Sequence, residues 1–183
     1  MSIRVVIAIF CLGSWLLPSC DHSARSKGTD RVELIQTPHV LSVLYTDVDS
    51  LSRLLHSVKC RRVEECYMGY STPDTSFSIG FSLDTNTKGI SATEWLRIDV
   101  AQRQIEVGNG LNVTVVEHVP GCDECAYAYY VQDNSLGRVS YFTGVVVRNG
   151  FLAGVYSQLV QRDARLFADE CAVLLKGIEV EAP

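Results

Sequence analysis

The sequence predicts an α+β sandwich in residues 31–183: an antiparallel sheet of about five to seven strands with helices packed on it. Three observations predict it. Phe77 to Leu83 alternates apolar and small polar residues, the period of a half-buried strand. Asn149-Gly150 joins two apolar runs, as in a tight hairpin. Helix-capping residues, Ser91 and Asp163, precede two segments with helical spacing.

Residues 1–19 have the pattern of a secretion signal. A single arginine precedes a short apolar run, which is well below the roughly 20 residues that a membrane-spanning helix needs. The residues Leu17, Ser19 and Cys20 resemble the bacterial lipobox, in which the cysteine is diacylated and becomes the first mature residue. Pro18 departs from the residues usual at its position.

The lipobox resemblance implies a chain held by lipid at Cys20 on the periplasmic side of a bacterial envelope, with residues 20–30 as a flexible tether. By the sorting rule of enteric bacteria, Asp21 implies retention in the inner membrane. Removal of residues 1–19 deletes one positive charge and no acid, so the net charge goes from −5 to −6. Without a basic block, nucleic acid is excluded as a partner, and contact with the membrane depends on the lipid.

The first part of the domain has two predicted features. Apolar residues between Val32 and Tyr45, interrupted by Pro38, predict one or two short strands with the proline at an edge or turn. A helix is predicted to start near Thr46, with an apolar stripe of Val48, Leu51, Leu55 and Val58.

A second helix starts at a capping box, Ser91 to Glu94, in which Ser91 accepts from the amide of Glu94. Its predicted core-facing stripe consists of Trp95, Ile98, Ala101 and Ile105. The stretch Gly108-Asn109-Gly110 ends the helix, because glycine and asparagine tolerate positive φ.

Strands are predicted at about 112–118, 126–132, 138–148 and 151–160, before a last helix capped by Asp163 and ended by Gly177. The predicted buried stripe of that helix is Phe167, Cys171, Leu174 and Ile178. The hairpin strands carry apolar side chains on both faces: Val139, Tyr141, Val145 and Val147 on one, Phe142 and Val146 on the other. Each face is therefore expected to be covered at least in part.

This order of elements, from about Ser76 to Val180, resembles the PsbP-like fold of several bacterial lipoproteins and extrinsic photosystem subunits. The strand Phe77 to Leu83, the helix from Ser91, the Asn149-Gly150 hairpin and the last helix carry the resemblance. It implies a non-catalytic accessory or binding role and carries no particular residue over.

Four cysteines of the mature chain are disulfide candidates, because thiols in an oxidising envelope tend to pair. They are Cys60, Cys66, Cys122 and Cys125. Of three connectivities, Cys60 with Cys66 and Cys122 with Cys125 is preferred, and pairing between the two clusters is the alternative. Cys171 lies on a helix stripe and is expected to be a buried free thiol.

The stretch Cys122-Asp123-Glu124-Cys125 also admits two chemical interpretations. A redox pair is disfavoured because the intervening acids and the following strand raise a thiol pKa. A zinc site with His118 is disfavoured because zinc competes poorly with oxidation outside the cytosol. We therefore expect no catalytic residue, no metal and no cofactor.

Four tyrosines on neighbouring predicted strands are the candidates for partner binding: Tyr127, Tyr129, Tyr130 and Tyr141. The leading hypothesis is a lipid-anchored periplasmic protein that acts as a non-catalytic protein-binding module, either an envelope accessory protein or a toxin-neutralising immunity protein. The alternatives are a thiol-disulfide redox enzyme that uses Cys122 and Cys125, and a carrier of a small apolar ligand between sheet and helix.

Overall fold

A computed structural model describes residues 31–36, 40–44, 64–66, 69–108 and 111–181. The signal segment, Cys20, Asp21, the tether, the helix predicted from Thr46 and Cys60 lie outside these residues.

The described chain forms two antiparallel sheets and two helices, which confirms the α+β class. The larger sheet has seven strands in the order β3-β4-β5-β9-β8-β7-β6, and the smaller has the order β1-β2-β10. The strands are β1 Arg31–Gln36, β2 Val40–Leu44, β3 Glu64–Cys66, β4 Gly69–Ser71, β5 Phe77–Thr85, β6 Val113–Val116, β7 Cys125–Asn134, β8 Gly137–Arg148, β9 Phe151–Val160 and β10 Ile178–Glu181. The helices are α1 Ala92–Val107 and α2 Ala164–Lys176.

The centre of the larger sheet consists of the long strands β5, β9 and β8. Asn149 and Gly150 form the turn between β8 and β9 with φ of 50° and 79°, which confirms the predicted hairpin. The two strands on either side of Pro38, β1 and β2, pair with each other as the apolar pattern predicted. The predicted strand at 77–83 is also confirmed, and it pairs with β9 along its whole length.

The two helices cover opposite faces of the seven-stranded sheet. Helix α2 packs on the face that carries Phe77, Phe142 and Val146, whereas α1 packs on the face that carries Ala126 and Val145. The expectation that both faces are covered is therefore confirmed. A single layer of helices on one face would leave one of these apolar faces in water, because β7, β8 and β9 carry buried side chains on both sides.

Helix α1 starts as predicted, with Ser91 accepting from the amide of Glu94, and ends at Gly108 with φ 97°. Its buried face differs from the predicted stripe. Ala92, Leu96 and Val100 face the sheet, Trp95 is half-buried, and three other members of the predicted stripe are exposed: Ile98, Ala101 and Ile105. The stripe prediction was wrong because both sets have helical spacing, and spacing alone does not select the face that meets the sheet.

Helix α2 is capped by Asp163, whose side chain accepts from the amide of Leu166, and ends at Gly177 as predicted. Phe167, Cys171 and Leu174 are buried, as expected. Ile178 is also buried, but it is the first residue of β10 and not part of the helix. The sequence pattern missed this strand because a single glycine separates it from the helix.

Candidate binding surfaces

An apolar row is exposed on the side of α1 that points away from the sheet. It consists of Ile98, Ala101 and Ile105, which we call the outer row of α1. The two isoleucines are 57% and 83% exposed and lie seven residues apart, about two helical turns. Single exposed apolar residues are ordinary on protein surfaces, but two large aliphatic side chains in one row form a small apolar patch. Such a patch is typical of an interaction surface.

Polar and charged groups border the outer row. Arg97 forms an ion pair with Glu117, which follows β6. Gln102 donates to Glu106 at 3.1 Å, and Glu94 is exposed in the first turn. An apolar centre within a polar rim is the usual arrangement of a protein–protein interface.

Tyr127 and Tyr129 lie on the face of the sheet that α2 covers. The Tyr127 ring is buried, its centroid is 5.5 Å from that of Phe142, and its hydroxyl donates to Asp169 of α2 at 3.3 Å. Burial, together with the neighbouring Asp169 carboxylate, raises the pKa of Tyr127. These contacts give Tyr127 a role in packing α2 onto the sheet.

Tyr130 and Tyr141 lie on the opposite face, beside α1. Their rings stack with centroids 4.8 Å apart and planes 11° apart, and they are paired residues of β7 and β8. The four candidate tyrosines therefore form two pairs on two faces and not one surface, because successive strand residues point to opposite sides.

A polar cluster that the sequence reasoning missed lies next to this second pair. The Arg103 Nε donates to the Asp99 carboxylate at 2.8 Å, and the guanidinium carbon lies 5.7 Å from the centre of the Tyr156 ring. Burial opposes the charge of Arg103, but Asp99 outweighs it and raises the pKa of the guanidinium. Tyr130 is a further neighbour that raises the pKa of Arg103. The spacing of Asp99 and Arg103 was a sequence signal for their ion pair.

Tyr156 is largely enclosed in this cluster. Burial, and secondarily the nearby Asp99 carboxylate, raises its pKa to about 12, although Ser82 of β5 acts in the opposite direction. Only the register of β9 against its neighbours brings Tyr156 here, so the sequence alone could not identify it.

Cys122 and Cys125 are joined by a disulfide, with their Cα atoms 5.4 Å apart, and both residues are buried. Arg148 lies against this pair: one guanidinium nitrogen is 3.4 Å from the Cys122 sulfur and another donates to Glu124 at 2.7 Å. Cys66, another of the four disulfide candidates, lies in β3, which is distant in sequence from the segment that holds Cys122 and Cys125.

Cys171 of α2 is a free, buried thiol, as its place on the helix stripe predicted, and burial raises its pKa. Among the described residues, no three His, Cys, Asp or Glu side chains are grouped so that they could hold a metal ion. Within the same residues, no helix is long and apolar enough to cross a membrane.

The fold and these surfaces define an α+β protein in which helix α1 exposes an apolar row. In structure the chain is similar to Mog1p, a Ran-binding protein of Saccharomyces cerevisiae, with a TM-score of 0.43 and 10% sequence identity over 82% of this chain and 85% of that chain. No family model matches the chain, and no curated protein matches its sequence.

Proposed function

We propose that this protein is a lipid-anchored envelope protein that binds another protein without catalysis, and that the outer row of α1 is the centre of its binding surface. The observation that carries the proposal is the exposure of Ile98 and Ile105 on one side of a helix whose opposite side is fixed to the sheet.

The energetics favour a partner at this place. Covering one such aliphatic side chain contributes about 1.5–3 kcal/mol, so two of them supply a useful share of a moderate affinity. Leu96 and Val100 anchor α1 to the sheet, and the helix presents the row without a cost for ordering. The ion pair between Arg97 and Glu117 adds a polar rim that can select among partners.

The lipid anchor rests on the lipobox resemblance at Cys20 and on the polar segment after it. A short tether keeps the folded domain close to the membrane surface. An envelope accessory protein and an immunity protein that neutralises an incoming toxin both fit this placement. Retention in the inner membrane is the form of the proposal that follows from Asp21.

The surface is tested by cross-linking in the native envelope with the double variant Ile98→Glu and Ile105→Glu. Leu166→Glu is the matched control, because Leu166 is 59% exposed on α2, on the other side of the sheet. We expect a defined cross-linked protein with the parent chain and the control, and its loss with the double variant. A cross-link that survives the double variant contradicts the proposal, provided that the variant keeps the parent melting temperature.

The anchor is tested separately with Cys20→Ser. We expect the parent chain to incorporate a fatty-acid probe and to sediment with membranes, whereas the variant does neither. Membrane association of the Cys20→Ser chain at the parent level contradicts lipid anchoring, whatever the outcome at the outer row.

A thiol-disulfide enzyme is the second candidate, and the contact between Arg148 and the Cys122 sulfur is the observation that favours it. A cation beside a sulfur stabilises the thiolate and so lowers the thiol pKa. Burial of both cysteines opposes attack by an external thiol. Thiol trapping after mild reduction with glutathione distinguishes the two: the structural interpretation predicts that Cys122 and Cys125 stay oxidised, and an enzyme predicts rapid labelling of Cys122.

A further inference from the structure

A polar site lies between the C-terminal half of α1 and the seven-stranded sheet, apart from the outer row. It consists of Arg103, Tyr130, Tyr141, Thr143 and Tyr156, and we call it the tyrosine site. Strand register places its members together, because Thr143 is the partner of Tyr156 and Tyr141 is the partner of Tyr130. All of these strand residues point to the side on which α1 lies.

Among the described residues, none forms a hydrogen bond with the Thr143 hydroxyl of this site. The Thr143 side chain is only 3% exposed. The other buried polar side chains behave differently: Ser140 donates to the carbonyl of Arg162, Ser157 to that of Ser78, and Thr72 to that of Phe77. A buried hydroxyl without a partner is destabilising, and native proteins rarely leave one in that state. The Thr143 hydroxyl can therefore take its partner from a bound molecule or from an ordered water.

The charges of the site are balanced. Arg103 carries a positive charge, but its Nε is bonded to the Asp99 carboxylate at 2.8 Å. The two side chains are 30% and 22% exposed, so the pair sits at the border of the site and is only partly screened by water. A paired guanidinium and carboxylate offer donors and acceptors without a net charge, which favours a neutral polar ligand over an anion.

The rest of the site offers ring faces and hydroxyls. The Tyr130 and Tyr141 rings stack on each other, and the Tyr156 ring lies beside the Arg103 guanidinium. Tyr141 and Tyr156 are both partly exposed, so that an incoming molecule can reach their rings. Aromatic faces combined with hydroxyl groups and a paired Arg and Asp match the chemistry of a sugar, whose ring has apolar C–H faces and a rim of hydroxyls.

We propose that the tyrosine site binds a small neutral hydroxylated molecule of the sugar class, which hydrogen-bonds to Thr143 and contacts the rings of Tyr141 and Tyr156. This binding is separate from the protein binding proposed for the outer row, and either can hold without the other.

The test is saturation-transfer NMR and calorimetry on the purified full chain, with glucose, galactose and N-acetylglucosamine as neutral probes and inorganic phosphate as the anionic probe. We expect at least one sugar to bind and phosphate not to compete with it. Absence of binding by all three sugars at high millimolar concentration overturns the proposal, and so does tighter binding of phosphate.

Thr143→Val is the decisive variant, because valine has nearly the shape of threonine without the hydroxyl. We expect the affinity for the sugar to fall about fivefold to tenfold, the equivalent of one hydrogen bond, and the melting temperature to stay equal or rise. Thr114→Val, at an exposed position of β6, is the matched control and keeps the parent affinity. Unchanged affinity in Thr143→Val means that an ordered water alone satisfies the hydroxyl, and this overturns the proposal. The Ile98→Glu and Ile105→Glu chain keeps sugar binding, which separates the two sites.

Discussion

The Asn149 side chain joins the hairpin turn of the large sheet to the last strand of the small one. Its Nδ2 donates to the main-chain carbonyl of Val180 at 2.7 Å, and its own backbone has φ 50° at the first turn position. One residue therefore both permits the tight turn between β8 and β9 and holds β10 against it.

Two substitutions at Asn149 separate these roles. Asn149→Gly keeps the access to positive φ but loses the hydrogen bond, so we expect a loss of about 1 kcal/mol in the free energy of unfolding. Asn149→Ala loses both, and the strained backbone adds about 1 kcal/mol. Urea denaturation measures the difference. Equal losses in the two variants show that the backbone conformation contributes nothing, contrary to this prediction.

The two candidate stripes of α1 differ in their effect on stability. Leu96 is fully buried between α1 and the sheet, so Leu96→Ala leaves a cavity and lowers the free energy of unfolding by about 2–5 kcal/mol. Ile105→Ala removes a side chain that is already in water and changes the free energy of unfolding by at most about 0.5 kcal/mol. Chemical denaturation of both variants tests this. A loss above 2 kcal/mol in Ile105→Ala means that the outer row is covered within the folded chain.

The sequence predicts the caps and turns of this fold correctly but not the face of α1 that meets the sheet. Caps and turns depend on a few adjacent residues, and for that reason Ser91, Asp163 and the Asn149-Gly150 turn were predicted correctly. The rotation of a helix about its axis depends on the surface it meets. Trp95 and Ile98 are more apolar than Ala92. Even so, Leu96 and not Ile98 packs in the cluster that contains the small residues of β7.

The same limit applies to the candidate sites. The sequence identified four tyrosines, but their division into two faces depends on alternation within β7 and on its pairing with β8. Tyr156 and Thr143 are distant in sequence from Arg103, and only the sheet brings them to α1. Cys122 and Cys125 could be identified as a pair because only two residues lie between them, whereas the Arg148 contact depends on the register of β8.

Gly144 is a position where α2 approaches the sheet too closely for a side chain. A Cβ added there would lie 2.8 Å from the Leu175 Cδ2 and 2.8 Å from the Phe142 ring. Because both neighbours are fully buried, Gly144→Ala forces them to shift and costs about 1–3 kcal/mol.

A double-mutant cycle with Leu175→Ala checks that origin. Leu175→Ala alone leaves a cavity, and the methyl group that Gly144→Ala adds partly fills it. We therefore expect the loss in the free energy of unfolding of the double variant to be smaller than the sum of the two single losses, by at least about 1 kcal/mol. If the two single losses simply add in thermal or urea unfolding, the destabilisation by Gly144→Ala comes from the backbone, and the packing explanation is wrong.

The stability of the fold should decrease in alkali in a way that depends on Tyr156. Its pKa is raised to about 12 in the folded chain, mainly by burial, whereas an unfolded tyrosine titrates near 10. Between these values the unfolded chain releases the proton and the folded chain keeps it. The phenol therefore contributes its full stabilisation below about pH 10 and loses it progressively as the pH rises toward 12. This difference between the folded and the unfolded pKa corresponds to at most about 2.7 kcal/mol in the free energy of unfolding.

Tyr156→Phe removes this titrating group. Between pH 10 and 12 the unfolding free energy of the variant should therefore fall less steeply than that of the parent. Tyr127 and Tyr130, whose pKa values burial also raises, remain in both chains and cancel in the difference. Urea unfolding at closely spaced pH values gives the two slopes, and identical slopes would contradict the burial of the Tyr156 phenol.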